Sequence, residues 1–269
     1  MPHSTTRDGI RVYYEEHGRG EPVLLAYGIG GNAGMWEPNI GALSAGHRLI
    51  LWEPRGHARS DSPEDPRKVT FAHWVWDLHD LMEHLELERA VVGGLSLGGG
   101  IATRFTLAHP TRVRALLIID SSSASGLPLG VDNIVMRAKS IEVTLKGGMD
   151  AMAEFAIASN PNVAGRIKLD PSARTEIFDY YRMLTPIGYA NALRALLQMD
   201  YITDRLGEIT APTLLVCGDE DPSLGPMREI QKRIAHARFA LLSLAGHFAN
   251  RDQPVAFNRA VLEFLSTLA

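Results

Sequence analysis

Ala90-Val91-Val92-Gly93-Gly94-Leu95-Ser96-Leu97-Gly98-Gly99-Gly100-Ile101 is the stretch that decides the fold. Its apolar start, Ala90-Val91-Val92, suits a strand buried on both faces of a parallel sheet. Residues 101–108 continue in a helical pattern, which Pro110 stops. Between them, Gly94-Leu95-Ser96-Leu97-Gly98 is a G-x-S-x-G sequence at a strand-to-helix junction. A serine nucleophile must stand exposed on a very tight turn. A Cβ two residues before or after it would strike the neighbouring strand and helix, so glycine occupies both places. The helix that follows points its free N–H groups and positive dipole end at the serine. The string alone is common, arising by chance in roughly one chain in ten of this length. The weight therefore rests on what surrounds it.

Upstream, residues 10–16 alternate apolar and polar after Asp8-Gly9 and predict an antiparallel edge strand. Residues 23–27 read as a buried strand that breaks into the loop Gly28-Ile29-Gly30-Gly31-Asn32. A short helix over 36–43, a buried strand over 48–52 and a loop over 53–60 follow. Thr70 is placed to N-cap a helix reaching Leu85, with Trp74, Leu78, Leu81 and Met82 on its apolar face. After the elbow, residues 115–119 are again continuously apolar and the strand ends at Asp120. Strand–helix alternation of this kind predicts a parallel sheet covered on both faces.

The alternation stops at Ser121-Ser122-Ser123. Beyond it come only helical patterns, near 133–146, 150–158, 172–184 and 188–199. This part carries Met136, Met149, Met152, Met183 and Met199 among many aromatic residues. It predicts an inserted helical cap whose methionine-bearing underside lines an apolar pocket. Strands over 213–217 and 238–242 then resume the alternation, with helices over 226–234 and 254–268. The expected organisation is a core of residues 1–121 and 207–269, interrupted by a cap over 122–206.

Sites in an open parallel sheet form beyond the carboxyl ends of the strands. Ser96 follows one such strand. Gly218-Asp219-Glu220-Asp221-Pro222 follows another, and Ser243-Leu244-Ala245-Gly246-His247 a third. Serine, acid and histidine thus fall at one sheet edge, in the order Ser, Asp, His that goes with this topology. A serine hydroxyl needs a base within hydrogen-bond reach, imidazole suits the task near neutral pH, and a carboxylate fixes its tautomer. Of ten histidines, His247 is the candidate base and His57, also after a strand end, its rival. Asp221 is the candidate acid. Asp120 ends the strand after the elbow and is the alternative, with a turn-capping role at 121–123 as its other reading. Two N–H groups must also face a developing oxyanion. Leu97 supplies one, and the Gly28-Ile29-Gly30 loop the other, most naturally from Ile29.

Composition bounds the function. The chain has 269 residues, 45% hydrophobic and 22% charged, with formal net charge -4 and no basic block, which argues against nucleic acid as partner. No apolar run nears the ~18 residues of a membrane span, and the N-terminus lacks the apolar core of a signal peptide. The single cysteine, Cys217, sits in an apolar run and agrees with a reducing, cytoplasmic compartment. No H-E-x-x-H or Cys/His cluster points to a metal. The expected partner is a small-molecule substrate, without metal or membrane, and a homo-oligomer is left open.

Tyr27-Gly28 with its glycines, Arg55-Gly56-His57 with Ser60, Gly94 to Gly98, Gly218 to Asp221 and Gly246-His247 together resemble the α/β-hydrolase superfamily over essentially the whole chain. Met35-Trp36-Glu37-Pro38, Arg55-Gly56-His57 and the elbow further resemble 3-oxoadipate enol-lactonases and related small esterases. The resemblance implies an α/β-hydrolase fold: a mostly parallel eight-stranded sheet flanked by helices, with a helical cap between the sixth strand and the acid strand. It also implies hydrolysis through an acyl-enzyme, without a cofactor. Two positions depart from the pattern. Tyr27 stands where the family has histidine, placing a phenol near the pocket, and Glu53 stands where it has aspartate. Ester or lactone hydrolysis of a small, mostly apolar substrate is the leading expectation. Carbon–carbon bond hydrolysis of ring-cleavage products is another, with Asn32 and Arg182 or Arg194 orienting a diketo acid. A ligand receptor on the same fold is a third.

Overall fold

The computed structural model describes residues 2–127 and 130–268. Among the described residues eight strands are formed: β1 (His3–Thr5), β2 (Arg11–His17), β3 (Glu21–Ala26), β4 (His47–Trp52), β5 (Ala90–Leu95), β6 (Val113–Ile119), β7 (Thr213–Gly218) and β8 (Arg238–Leu242). They make one sheet in the order β1-β2-β4-β3-β5-β6-β7-β8. The first two pairings are antiparallel and all others parallel. Here the reading of residues 10–16 is corrected. That segment is not an edge, because the three-residue β1 pairs outside it. A three-residue strand is too short to show a period of its own.

The helices are α1 (Glu37–Ser44), α2 (Phe71–His84), α3 (Leu97–Ala108), α4 (Val131–Ser159), α5 (Pro161–Leu169), α6 (Ala173–Arg182), α7 (Pro186–Leu197), α8 (Leu224–Arg233), α9 (Ala249–Asp252) and α10 (Pro254–Leu265). Thr70 caps α2 as its position predicts, its Oγ1 accepting from His73 N–H at 3.3 Å. No helix among the described residues is long and apolar enough to cross a membrane.

The unbroken apolar runs are explained by burial on both faces. Leu24, Ala26, Ile50, Trp52, Val92, Leu116 and Ile118 pack on one side with α2 and α3. Their neighbours Val23, Leu25, Leu49, Leu51, Val91 and Leu117 pack on the other with α1 and α10. Each valine, leucine or isoleucine among them contributes about 2 kcal/mol through burial. Ion pairs also tie α2 to the loops after β1 and β4. Arg55, fully buried, donates to Asp77 at 2.5 and 2.8 Å and to Asp8 at 2.8 Å.

Between β6 and β7 stand α4 to α7. Gly148, with φ +76° and ψ −168°, breaks α4 in the gap between the two helical patterns expected there. Met149, Met152, Val163, Ile177, Leu184, Tyr189 and Leu193 form an apolar cluster of their own, onto which Ile29 and Ala58 pack.

Candidate active site

Ser96 links β5 to α3 with φ +53° and ψ −113°. A non-glycine residue in such a region costs on the order of 1–3 kcal/mol and persists only if its surroundings impose it. Here they do. Ser96 N–H donates to Ile119 O at 2.9 Å, and its carbonyl accepts from Gly100 N–H at 3.1 Å. The same carbonyl accepts from Ser121 Oγ at 2.5 Å and Ser123 Oγ at 3.0 Å. These two serines clamp the elbow from the end of β6. The sequence signals them only as the place where the strand pattern ends. The glycines are there for space. A Cβ on Gly94 would lie 2.4 Å from Ala26 O and 2.8 Å from Gly98 Cα, and one on Gly98 would lie 2.3 Å from Ala26 O.

His247 and Asp221 come from the loops after β8 and β7. His247 Nδ1 lies 3.1 Å from each carboxylate oxygen of Asp221. Asp221 Oδ1 also accepts from Ser223 N–H at 3.0 Å. Burial opposes both charges. Even so, the hydrogen bond and the opposite charge hold the Asp221 carboxyl below its ordinary value and raise the imidazole above its own. Ser96 and His247 line one cavity, and among the described residues no hydrogen bond joins Ser96 Oγ to the ring. Catalytic hydrogen bonds are often open in the absence of substrate.

Asp120 does not cap the turn at 121–123, as the sequence suggests. It lies fully buried, its Oδ1 accepting from Gly218 N–H at 2.9 Å and its Oδ2 from Ala249 N–H at 3.1 Å. It therefore ties the end of β7 to the segment just after His247. Burial, and then the nearby Asp221 charge, push its carboxyl well above the usual range. Donor atoms of Asp120, Cys217 and Asp221 lie within 4.8 Å of one another. The carboxylates of this trio are engaged by backbone N–H groups and by His247, which disfavours a cation there. His57 is buried, stacks edge-on to Trp74 and lies outside the cavity lining, so the rival base is not at the site.

Leu97 opens α3, so its N–H has no intrahelical acceptor. Ile29 N–H has no backbone acceptor among the described residues. Its loop is pressed against the elbow, since a Cβ on Gly28 would lie 3.0 Å from Ser96 Cβ. Glu53, the departure from aspartate, is buried and holds the far end of this loop. Its Oε1 accepts from Ala33 N–H at 3.1 Å, and Arg59 pairs with the same carboxylate.

The cavity is about 120 Å³ and is lined by apolar and aromatic groups, among them Tyr180, Tyr181, Tyr189, Val163, Ile177 and Phe248. This corrects the methionine reading. Met149 and Met152 are buried in the helices' own cluster, Met136 and Met183 are exposed, and Met35 is the methionine that lines the cavity. Tyr27 does line it, but its hydroxyl donates to Asn250 Oδ1 at 3.0 Å and so braces the wall. Arg182 is engaged outside, with Asp150 at 2.8 Å, and Arg194 donates to Asn191 Oδ1 at 2.6 Å. Asn32 caps the turn after the loop through Gly34 N–H. None of these three lines the cavity.

Residues 21–184 match the family model described as the alpha/beta hydrolase fold. The chain is 25% identical to 3-oxoadipate enol-lactonase 1 of Acinetobacter baylyi over 98% of its length and 96% of the relative's. Among solved structures it resembles the enol-lactonase from Burkholderia xenovorans LB400, with TM-score 0.86 and 26% identity over 98% of this chain and 100% of that one. It also resembles a thermophilic esterase from Thermogutta terrifontis, with TM-score 0.89 and 26% identity over 99% of this chain and 98% of that one.

Proposed function

We propose that this chain, which belongs to the alpha/beta hydrolase fold family, hydrolyses carboxylic esters or lactones of small, uncharged, mostly apolar acyl groups. One observation carries the reading: His247, bonded through Nδ1 to Asp221 at 3.1 Å, shares an apolar cavity with the strained Ser96. The similarity to an enol-lactonase and an esterase supports it.

The chemistry follows from the parts. Asp221 accepts a hydrogen bond from Nδ1–H and so holds the tautomer in which Nε2 is the basic nitrogen. As Ser96 Oγ attacks the carbonyl carbon, Nε2 takes its proton. The carbonyl oxygen becomes an oxyanion facing the N–H groups of Ile29 and Leu97. On collapse, the C–O bond to the alcohol breaks and the imidazolium returns the proton to the leaving oxygen. The acyl group stays on Ser96. Water then repeats the sequence, releasing the acid and restoring the serine. All protons move among Ser96, His247, alcohol and water, so the cycle requires no cofactor.

The carbon–carbon reading loses ground because neither arginine named for it reaches the cavity. Short-chain aryl esters and simple lactones test the proposal. Ser96→Ala and His247→Ala should each lose about 10⁴-fold or more in kcat. Ester turnover that survives in Ser96→Ala would remove serine chemistry from the site.

A further inference from the structure

Behind the wall that Met35, Ile177 and Tyr180 give the cavity lie four charges from three helices. Arg166 on α5 donates to Glu176 on α6 at 2.7 Å and reaches Asp252 on α9 at 3.4 Å. Arg251, also on α9, pairs with Glu176 Oε1 and donates to Met35 O at 3.1 Å. Tyr180 OH donates to Glu176 at 2.8 Å, and Asp252 accepts from Gly246 N–H, the residue before His247, at 2.9 Å. The group is neutral in sum, two cations against two anions. Arg251 Nε–H is buried with no acceptor among the described residues.

Two guanidinium groups converging on one carboxylate is how proteins hold a bound carboxylate. Here that carboxylate belongs to the chain. Among the described residues, no lysine or arginine lines the cavity itself. A charged acyl chain entering it would lose its hydration among Val163, Ile177, Tyr181 and Tyr189 without a counter-charge, while both nearby arginines are already neutralised.

We propose that Glu176 is a specificity-determining residue: it occupies, from within the protein, a two-arginine carboxylate site behind the cavity, and thereby confines the acyl group to uncharged chains. Its turnover consequences rest on the ester-hydrolase reading above; its binding consequence does not. Removing the Glu176 charge leaves two cations facing one anion and frees N–H donors beside Tyr180. The site should then accept a carboxylate from a ligand.

The test compares the nitrophenyl monoester of adipic acid with its uncharged isostere, which carries an isopropyl group in place of the carboxylate, after subtraction of spontaneous hydrolysis. The wild-type enzyme should favour the isostere by about 100-fold or more in kcat/KM, and Glu176→Gln should narrow that ratio at least about tenfold. Glu176→Asp, which keeps the charge, should keep the ratio. The ratio cancels losses common to both esters. Calorimetric titration with hexanoate reads the site without turnover: Glu176→Gln should bind it at least about tenfold more tightly than wild type. A wild-type ratio near one overturns the inference, whether or not Glu176→Gln folds. An unchanged ratio with unchanged hexanoate binding in a folded Glu176→Gln overturns it as well. Failure of both esters in the wild type counts against the hydrolase reading, and the hexanoate titration then still decides the role of Glu176.

Discussion

Asp120 and Asp221 lie side by side at the carboxyl edge of the sheet and are held in different ways. Asp221 faces His247 Nδ1 with both oxygens at 3.1 Å, whereas Asp120 spends its two oxygens on Gly218 N–H and Ala249 N–H. Only Asp221 can stabilise an imidazolium directly. Asp221→Asn should keep the fold and cost up to ~10⁴ in kcat, because an amide favours the wrong tautomer. Asp120→Asn loses one of two backbone bonds to the loops that carry Asp221 and His247. It should cost about tenfold in rate and about 1 kcal/mol in stability. Initial rates and urea unfolding of both variants check this. Loss of rate confined to Asp120→Asn would reassign the acid.

Ser121 and Ser123 both donate to the Ser96 carbonyl. Without them the elbow keeps its glycines but loses two of the bonds that oppose its strain. The double variant Ser121→Ala/Ser123→Ala should lose about 1–3 kcal/mol of stability. It should also lower kcat more than it raises KM, since the displaced group is Ser96, the proposed nucleophile, and not the pocket wall. Chemical denaturation and steady-state kinetics separate the two effects.

At Gly98 the expected result is harsher. A Cβ there meets the carbonyl oxygen of Ala26 at 2.3 Å, and that oxygen belongs to a central strand. Strand or helix must move. Gly98→Ala should cost about 1–3 kcal/mol, the usual range for an overpacked core, and remove most activity by shifting Ser96. Gly41, where a Cβ would meet nothing, serves as control: Gly41→Ala should not destabilise. Melting temperatures of the pair check the contrast.

The parts of the site legible in the sequence are those fixed by local sterics or by strand order. Gly94 and Gly98 could be read because the turn leaves no room for a Cβ. Asp221 and His247 could be placed beside Ser96 because each follows a strand of one parallel sheet. What escaped depends on contacts between distant segments. Met149 and Met152 read as pocket residues, yet α4 turns them into the apolar cluster with Ile177 and Leu193, and the tyrosines face the cavity instead. The Arg251 to Glu176 pair spans 75 residues, and no periodicity announces such a partnership. The short α9 and the three-residue β1 owe their form to tertiary pairing rather than to a pattern of their own.

His57 offers a stability switch that is independent of catalysis. Its ring is buried against Trp74, Nδ1 lies 3.4 Å from Arg55 O, and Nε2 has no partner among the described residues. Burial pulls its pKa from 6.5 to about 4, with the backbone of Arg55 and Pro54 opposing weakly. The folded state therefore keeps His57 neutral over a range where the unfolded chain protonates it. Between those two values the unfolded state binds the extra proton, so stability rises with pH and is lost as pH falls from about 6.5 to about 4. The gap corresponds to about 3 kcal/mol at most. Other groups titrate in the same interval, so the informative quantity is a difference. His57→Asn retains an N–H near Arg55 O but cannot titrate. The stability of the wild type relative to His57→Asn, from urea unfolding at intervals across this range, should decline by up to about 3 kcal/mol toward the acid end. A difference that stays flat would mean that the folded protein hydrates or pairs the His57 ring, contrary to its buried, half-satisfied position.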